Sequence, residues 1–590
     1  MIVKGEAVSP GLAVGTALFH EATDVDVPVL SISEEDVQGE RDRLVGAMDR
    51  AQQELSDVRN AMERRVGKRD AGIFAVHGML IDDPSFRDGV SQRIGEDLVN
   101  AEVAVRDEVA RWVERFEGLA HTEEDRDPVA DLRDVGRRLL RLLAGKPSPV
   151  AEILAQEEGG QRYILICGEL LPSDTTHLDR SQLAAIVTRS GGTASHVAIL
   201  ARGLGIPAIT GIAVESLPAR GGRWVVDGNE GHVVVDPSEE DIASAELRSK
   251  DFERLREDLV VATRGPAETA DGHSIELMLN VENWEELSEG AFEDLSGIGL
   301  YRTEFLFMNR TTFPSEQEQY EHYREALQRV GDRPITFRTI DVGGDKPLSY
   351  LKTPPEPNPV LGWRGIRLTL EWKDLLYTQF RALLRASAHG KVRLLLPMVT
   401  LVEEFMRAKE ILIQIQDDLR QRGVSFDEEI PLGAMVEIPA VAMNCGVLAQ
   451  EADFLSLGTN DLTQYALAVD RNNARVSDLY QPLHPGLLSL VRHAVDGCRL
   501  AETPLGVCGE MAGDPEAVLL LLGMGVRSFS LSPYHVPIVK RVISSVDLPR
   551  SKEVLDEVAR FRTTTELRQY VRSVLLELAP DLSVWLAPQA

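Results

Sequence analysis

Cysteine is scarce. Only Cys167, Cys445, Cys498 and Cys508 occur in 590 residues, far apart and with no CxxC pair. That excludes a disulfide framework and a cysteine zinc site. Long apolar runs are missing too. The longest, Ala517–Leu522, is far below the ~18 residues that a membrane helix needs. Positive charge is in short supply: 63 basic residues face 94 acidic ones, a net charge of −31. This argues against nucleic acid as the main partner and fits a soluble protein that meets a basic one. An N-terminal signal core is also wanting, because Glu6 and Pro10 interrupt the place where it would lie. Together these shortages predict a soluble chain in a reducing, cytoplasmic setting, with no direct membrane insertion.

What remains is ordinary globular material, 43% hydrophobic and 27% charged, long enough for roughly three to four domains. Residues 1–20 read as strands with a Ser-Pro-Gly turn. From Ser33 the pattern turns helical, with stretches at Asp36–Arg64, from about Gly72, at Ala101–Glu117 and at Arg133–Leu143. Four helices with short joins imply a bundle or two hairpins. His77, alone on one of them, reads as a packed or surface residue. Beyond Gly145 short apolar runs return at Tyr163–Cys167, Ala184–Thr188, Trp224–Asp227 and His232–Val235. The helical region therefore reads as an insertion, residues 21–145, in a small α/β domain made of 1–20 and 146–237. Residues 238–266 read as a linker helix.

From 267 to 581 the chain repeats one theme, a short apolar strand followed by a helix. The strands are Glu276–Val281, Gly297–Tyr301, Ile335–Ile340, Val392–Pro397, Leu432–Glu437, Phe454–Leu457, Leu505–Cys508 and Ser528–Leu531. Eight such units predict a (β/α)8 barrel, with its chemistry at the C-terminal ends of the strands. The stretch Asp345–Arg367 reads as an irregular insertion after the third strand.

The strand ends carry a consistent set. Glu437 closes one strand, and Asn460-Asp461 follows another. Two carboxylates facing one pocket suit a hard cation such as Mg²⁺, although either alone could simply cap a helix. Arg302, Arg338 and Arg471 add the planar forks that suit a small, multiply charged anion. Cys508 is either a small core residue or a proton donor. In the small domain, Ser190-Gly-Gly-Thr-Ala-Ser-His196 leads into an apolar helix. A histidine at a helix start stands where anions are favoured. It can attack phosphorus and hold the phosphoryl group, or it can be the packed neighbour of a capping serine.

These motifs together resemble enzyme I of the phosphoenolpyruvate-dependent sugar phosphotransferase system, nearly end to end. They are Ser9-Pro-Gly11, Arg133-Asp-Val-Gly136, Gly191–His196, Gly299-Leu-Tyr-Arg-Thr-Glu-Phe-Leu-Phe-Met308, Asp341–Lys346, Leu361-Gly-Trp-Arg364, Met435-Val-Glu437, Gly458–Tyr465, Ala468–Arg471 and Cys508-Gly-Glu510. The resemblance implies that His196 takes the phosphoryl group on Nε2, and that Arg302, Arg338, Asn460, Asp461 and Arg471 surround phosphoenolpyruvate. It implies Mg²⁺ on Glu437 and Asp461, with Cys508 protonating the enolate to give pyruvate. It also implies that the inserted helices dock HPr, that the small domain swivels, and that the barrel dimerises. Thr193-Ala194 stands where sugar-system members have Arg-Thr, which bears on the choice of HPr. An ATP-dependent dikinase would need a nucleotide domain that the sequence does not display. A regulatory protein without turnover would be expected to have lost part of the set.

Overall fold

The structure, a computed structural model, describes the chain except residues 10, 21–28, 67–71, 118–127, 146–161, 169–181, 190–200, 202–205, 213–221, 229–230, 282–293, 308–309, 311, 345–350, 352–355, 472–475, 477–478, 585 and 587–590. Two compact units divide it, residues 1–251 and 252–588.

The first unit is built on an eight-stranded sheet with strands β1 (Ile2–Lys4), β2 (Glu6–Ser9), β3 (Leu12–His20), β4 (Tyr163–Cys167), β5 (Leu183–Thr188), β6 (Ala208–Thr210), β7 (Arg223–Asp227) and β8 (His232–Val234). Their order is β1-β8-β7-β3-β4-β5-β6-β2. β3 to β6 run parallel at its centre. Parallel central strands are covered on both faces, which is why Tyr-Ile-Leu-Ile-Cys in β4 and Leu-Ala-Ala-Ile-Val-Thr in β5 are buried throughout. β3 and β4 pair directly although helices intervene in sequence.

Five helices fill that insertion among the described residues: Val37–Val66, Gly72–Asp82, Pro84–Glu96, Ala101–Glu117 and Pro128–Leu143. The third is absent from the sequence reading, which passes from a stretch beginning near Gly72 to one at Ala101–Glu117. Proline fits the first helical turn, where its missing N–H costs nothing. Asp83 caps it, accepting from Ser85 N at 2.8 Å and Phe86 N at 3.3 Å. Leu132, Val135 and Leu139 form one stripe of the last helix and are buried with Leu165 and Ile186 of the sheet. His77 is fully buried, with Nδ1 3.4 Å from Asp134 Oδ2. The strand Ala208–Thr210 also lies outside the sequence reading, being only three residues long.

The helix Glu239–Ala262 crosses the boundary between the units. The second unit is a closed parallel barrel of β9 (Glu276–Val281), β10 (Gly297–Arg302), β11 (Ile335–Arg338), β12 (Val392–Leu396), β13 (Leu432–Val436), β14 (Phe454–Leu457), β15 (Leu505–Val507) and β16 (Ser528–Leu531). Every strand matches a predicted one to within two residues. Helix starts are signalled locally: Ser315 and Glu318 form a capping box, and Asp514 caps the helix Pro515–Met524.

Candidate active site

The C-terminal ends of the barrel strands bring most of the predicted barrel residues to one place. Glu437 directly follows β13 and is buried, and its Oε1 accepts the amide of Met398 at 2.6 Å. Met398 has φ of +59°, a left-handed conformation that costs a non-glycine residue about 1–3 kcal/mol. The strain aims a backbone donor at the carboxylate. On the other side, Gly458 leaves room. A Cβ there would lie 2.8 Å from Glu437 Oε2 and 2.8 Å from Met435 Cε. Burial, then the neighbouring Asp461 and Asp341, push the Glu437 carboxyl up to about 7.

Asp461, buried in the first turn of the helix Thr459–Leu467, has charged partners on both oxygens. Its Oδ2 accepts from Arg364 Nη2 at 3.3 Å, and its Oδ1 lies 3.5 Å from Arg471 Nη2. Oδ1 makes no hydrogen bond among the described residues. The fully buried Arg364 also grips Asp341 with Nε at 3.1 Å and Nη2 at 2.8 Å. Gly365, at φ +57°, lets the chain turn here: a Cβ would press on Met398 Cβ at 3.0 Å and Asp341 Oδ1 at 3.2 Å. Arg338 closes the network. Its Nη2 donates to Glu304 Oε1 at 2.8 Å, and Nη1 lies 3.4 Å from Asp341 Oδ2. Burial works against its charge, but Glu304, Asp341, Glu437 and Asp461 outweigh that and hold the guanidinium firmly protonated.

Cys508 follows β15 among Leu300, Leu395 and Met435, 2% exposed. Its Sγ lies 3.5 Å from the Leu457 carbonyl. Burial pushes the thiol up to about 11; a Ser456 hydrogen bond pulls the other way, and Glu437 pushes it further up. The group is therefore a thiol at neutral pH. It lies within electrostatic reach of Arg338 and Arg302, the latter half-buried at the end of β10. Asn460 and Glu510 exchange two hydrogen bonds: Asn460 Nδ2 donates to Glu510 Oε1 at 3.1 Å, and Glu510 N donates to Asn460 Oδ1 at 2.8 Å. Arg471 is fixed through its amide, which donates to Gln464 Oε1 at 3.0 Å.

No group of three or more metal-ligating side chains occurs among the described residues. Glu437 and Asp461 nonetheless fit a hard cation. One has a pKa raised by burial and like charge, and the other has an oxygen without a hydrogen bond. Such ions take one or two carboxylates and draw their remaining ligands from substrate and water. Arg364, Glu304, Asp341 and the Met398 amide received no role from the sequence. The signal for Arg364 was its place in Leu361-Gly-Trp-Arg364 beside a run of prolines. Nothing in the sequence marks the Met398 amide. His196 lies outside the described residues.

Three family models match the chain: "PEP-utilising enzyme, N-terminal" over 4–123, "PEP-utilising enzyme, mobile domain" over 159–231 and "PEP-utilising enzyme, PEP-binding domain" over 256–548. The phosphoenolpyruvate-protein phosphotransferase of Priestia megaterium is 37% identical over 97% of this chain and 98% of its own length. The chain belongs to the phosphoenolpyruvate-protein phosphotransferase family. The proteins of that name from Bacillus subtilis and Haemophilus influenzae are 36% and 35% identical, covering 97% and 98% of this chain and 99% of each of theirs. Within the family frame, all seven barrel candidates fall inside the PEP-binding match, and His196 falls inside the mobile-domain match.

Proposed function

We propose that this protein transfers the phosphoryl group of phosphoenolpyruvate to its own His196 and then to a histidine of HPr, releasing pyruvate as the first step of sugar phosphotransfer. What supports this reading is a buried thiol, Cys508, with Arg302, Arg338 and Glu437 within electrostatic reach, in a chain 37% identical to a phosphoenolpyruvate-protein phosphotransferase over 97% of its length. Phosphoryl transfer needs positioning and charge neutralisation, and the arginines supply donors for phosphate and carboxylate oxygens. The bridging P–O bond breaks as the His196 Nε2–P bond forms, leaving the enolate of pyruvate. The enolate carbon needs a proton, and Cys508 Sγ is the acid that would give it. Mg²⁺ on Glu437 and Asp461 would neutralise negative charge on the phosphate oxygens. Asn460, held by Glu510, and Arg471, held by Gln464, orient substrate oxygens.

In the same reading the inserted helices dock HPr, the mobile domain carries the phosphoryl group, the barrel forms a homodimer, and the protein works in the cytoplasm. No described helix is long and apolar enough to cross a membrane. Mass spectrometry after mixing the protein with phosphoenolpyruvate and Mg²⁺ tests the core claim. An acid-labile gain of one phosphoryl group is expected in the parent and not in His196→Ala. A gain that survives the substitution would remove His196 from its role, and no gain in the parent would leave a binding protein.

A further inference from the structure

Below Cys508 the barrel interior changes character. Barrels of this kind are filled by layers of bulky branched side chains. Here Leu300, Leu395, Met435 and Cys508 form one such layer. Towards the N-terminal ends of the strands, small residues follow instead, among them Gly299, Ser456, Gly506 and Ser530, and they line a cavity of about 700 Å³. That volume is in the range of small-molecule sites. The apolar layer separates it from the carboxylates of the upper face.

The charges on its wall are Arg393, Arg499, Arg527 and Glu276. Arg499, at the rim, already pairs with Asp496 at 2.9 Å. Arg527 is anchored by one end only: Nη1 donates to the carbonyls of Leu522 at 3.0 Å and Val526 at 2.8 Å. This fixes one end of the guanidinium; Asp271 also acts on it electrostatically, and its other N–H groups make no hydrogen bond among the described residues. Arg393, half-buried on β12, makes no hydrogen bond or ion pair among the described residues. Glu276 is the carboxylate on the wall itself and Asp271 acts on Arg527 from outside the lining; two planar forks among hydroxyls still offer the donors that a small dianion takes. This is not a general basic surface, because the chain carries a net charge of −31.

We propose that the N-terminal mouth of the barrel is a second ligand site, which takes a small dianionic metabolite with a phosphate or paired carboxylates on Arg393 and Arg527. It is independent of the phosphotransfer reading. The test is calorimetric titration of the full chain with inorganic phosphate and, separately, with succinate, in 150 mM salt. Parent, Arg393→Gln, Arg527→Gln and Arg302→Gln are compared, each checked for an unchanged melting temperature. One of the two ligands is expected to bind at a site that Arg393→Gln or Arg527→Gln weakens at least tenfold, with pyruvate formation kept. Arg302→Gln should leave that site intact. Phosphate alone titrating would assign a phosphorylated ligand, and succinate alone a dicarboxylate. Binding of neither in salt, or titrations unaltered in both lower-site variants, would overturn the proposal. If one lower-site variant fails to fold, the other decides.

Discussion

At the scale of residues, the upper site depends on groups that hold other groups. Gly458 is the clearest case. Gly458→Ala puts a methyl 2.8 Å from Glu437 Oε2, so the carboxylate must move. The Mg²⁺ concentration for half-maximal pyruvate formation is expected to rise about tenfold or more, equivalent to roughly 1.4 kcal/mol, with the fold retained; titrating the metal checks it. Arg364 is a second case. Arg364→Gln leaves Asp341 and Asp461 buried without their shared partner, a loss of about 3–5 kcal/mol, read from the barrel's denaturant midpoint. Cys508 supplies a pH prediction. The unfolded thiol titrates near 9, and burial moves the folded one up to about 11. The folded state therefore keeps a proton that the unfolded state loses between these values, and stability falls as pH rises through that window. Below it Cys508 stays a thiol, so iodoacetamide labelling followed by peptide mapping should remain slow through pH 9 and climb only as pH nears 11. Rapid labelling at pH 7 would contradict that protonation state.

At the scale of elements, the barrel was legible because parallel strands buried on both faces read as continuous apolar runs. Leu432–Val436 and Phe454–Leu457 stand out in that way, and the acids that follow them mark the active end. The helix Pro84–Glu96 was hidden because its first residue is a common breaker. Asp83→Ala should destabilise the helical subdomain by about 1 kcal/mol through loss of the cap, measured by thermal melting. The parts of the site that escaped the sequence share one trait: they come from connections rather than strands. Arg364 reaches Asp461 across nearly a hundred residues of chain, and the Met398 amide contributes through backbone conformation alone. Neither spacing nor residue type encodes such contacts. His196 could be recognised only from its Gly-Gly and Ser-His surroundings.

At the scale of the whole molecule, two compact units on one chain should unfold separately. Phosphoenolpyruvate with Mg²⁺ is expected to raise the calorimetric transition of the barrel and leave that of the first unit in place, by roughly 2.7 kcal/mol at a hundredfold excess over Kd. The network at the upper site has a further consequence. Glu304, Asp341, Glu437 and Asp461 are set against Arg338, Arg364 and Arg471 by ion pairs or close approach, with Glu510 and Arg302 beside them, so five carboxyls, one of them raised to about 7, face four guanidiniums and the pocket is close to balanced inside a molecule of net charge −31. A divalent cation alone would unbalance it in one direction. A phosphate ester bearing a carboxylate, roughly −2.5 to −3 near neutral pH, would unbalance it in the other and approach against the field of the whole chain. Arriving together, the two nearly cancel. Each should therefore tighten the other's binding by an equal factor, as reciprocity requires. Added salt, by screening the chain's own repulsion, should speed capture of the substrate rather than slow it.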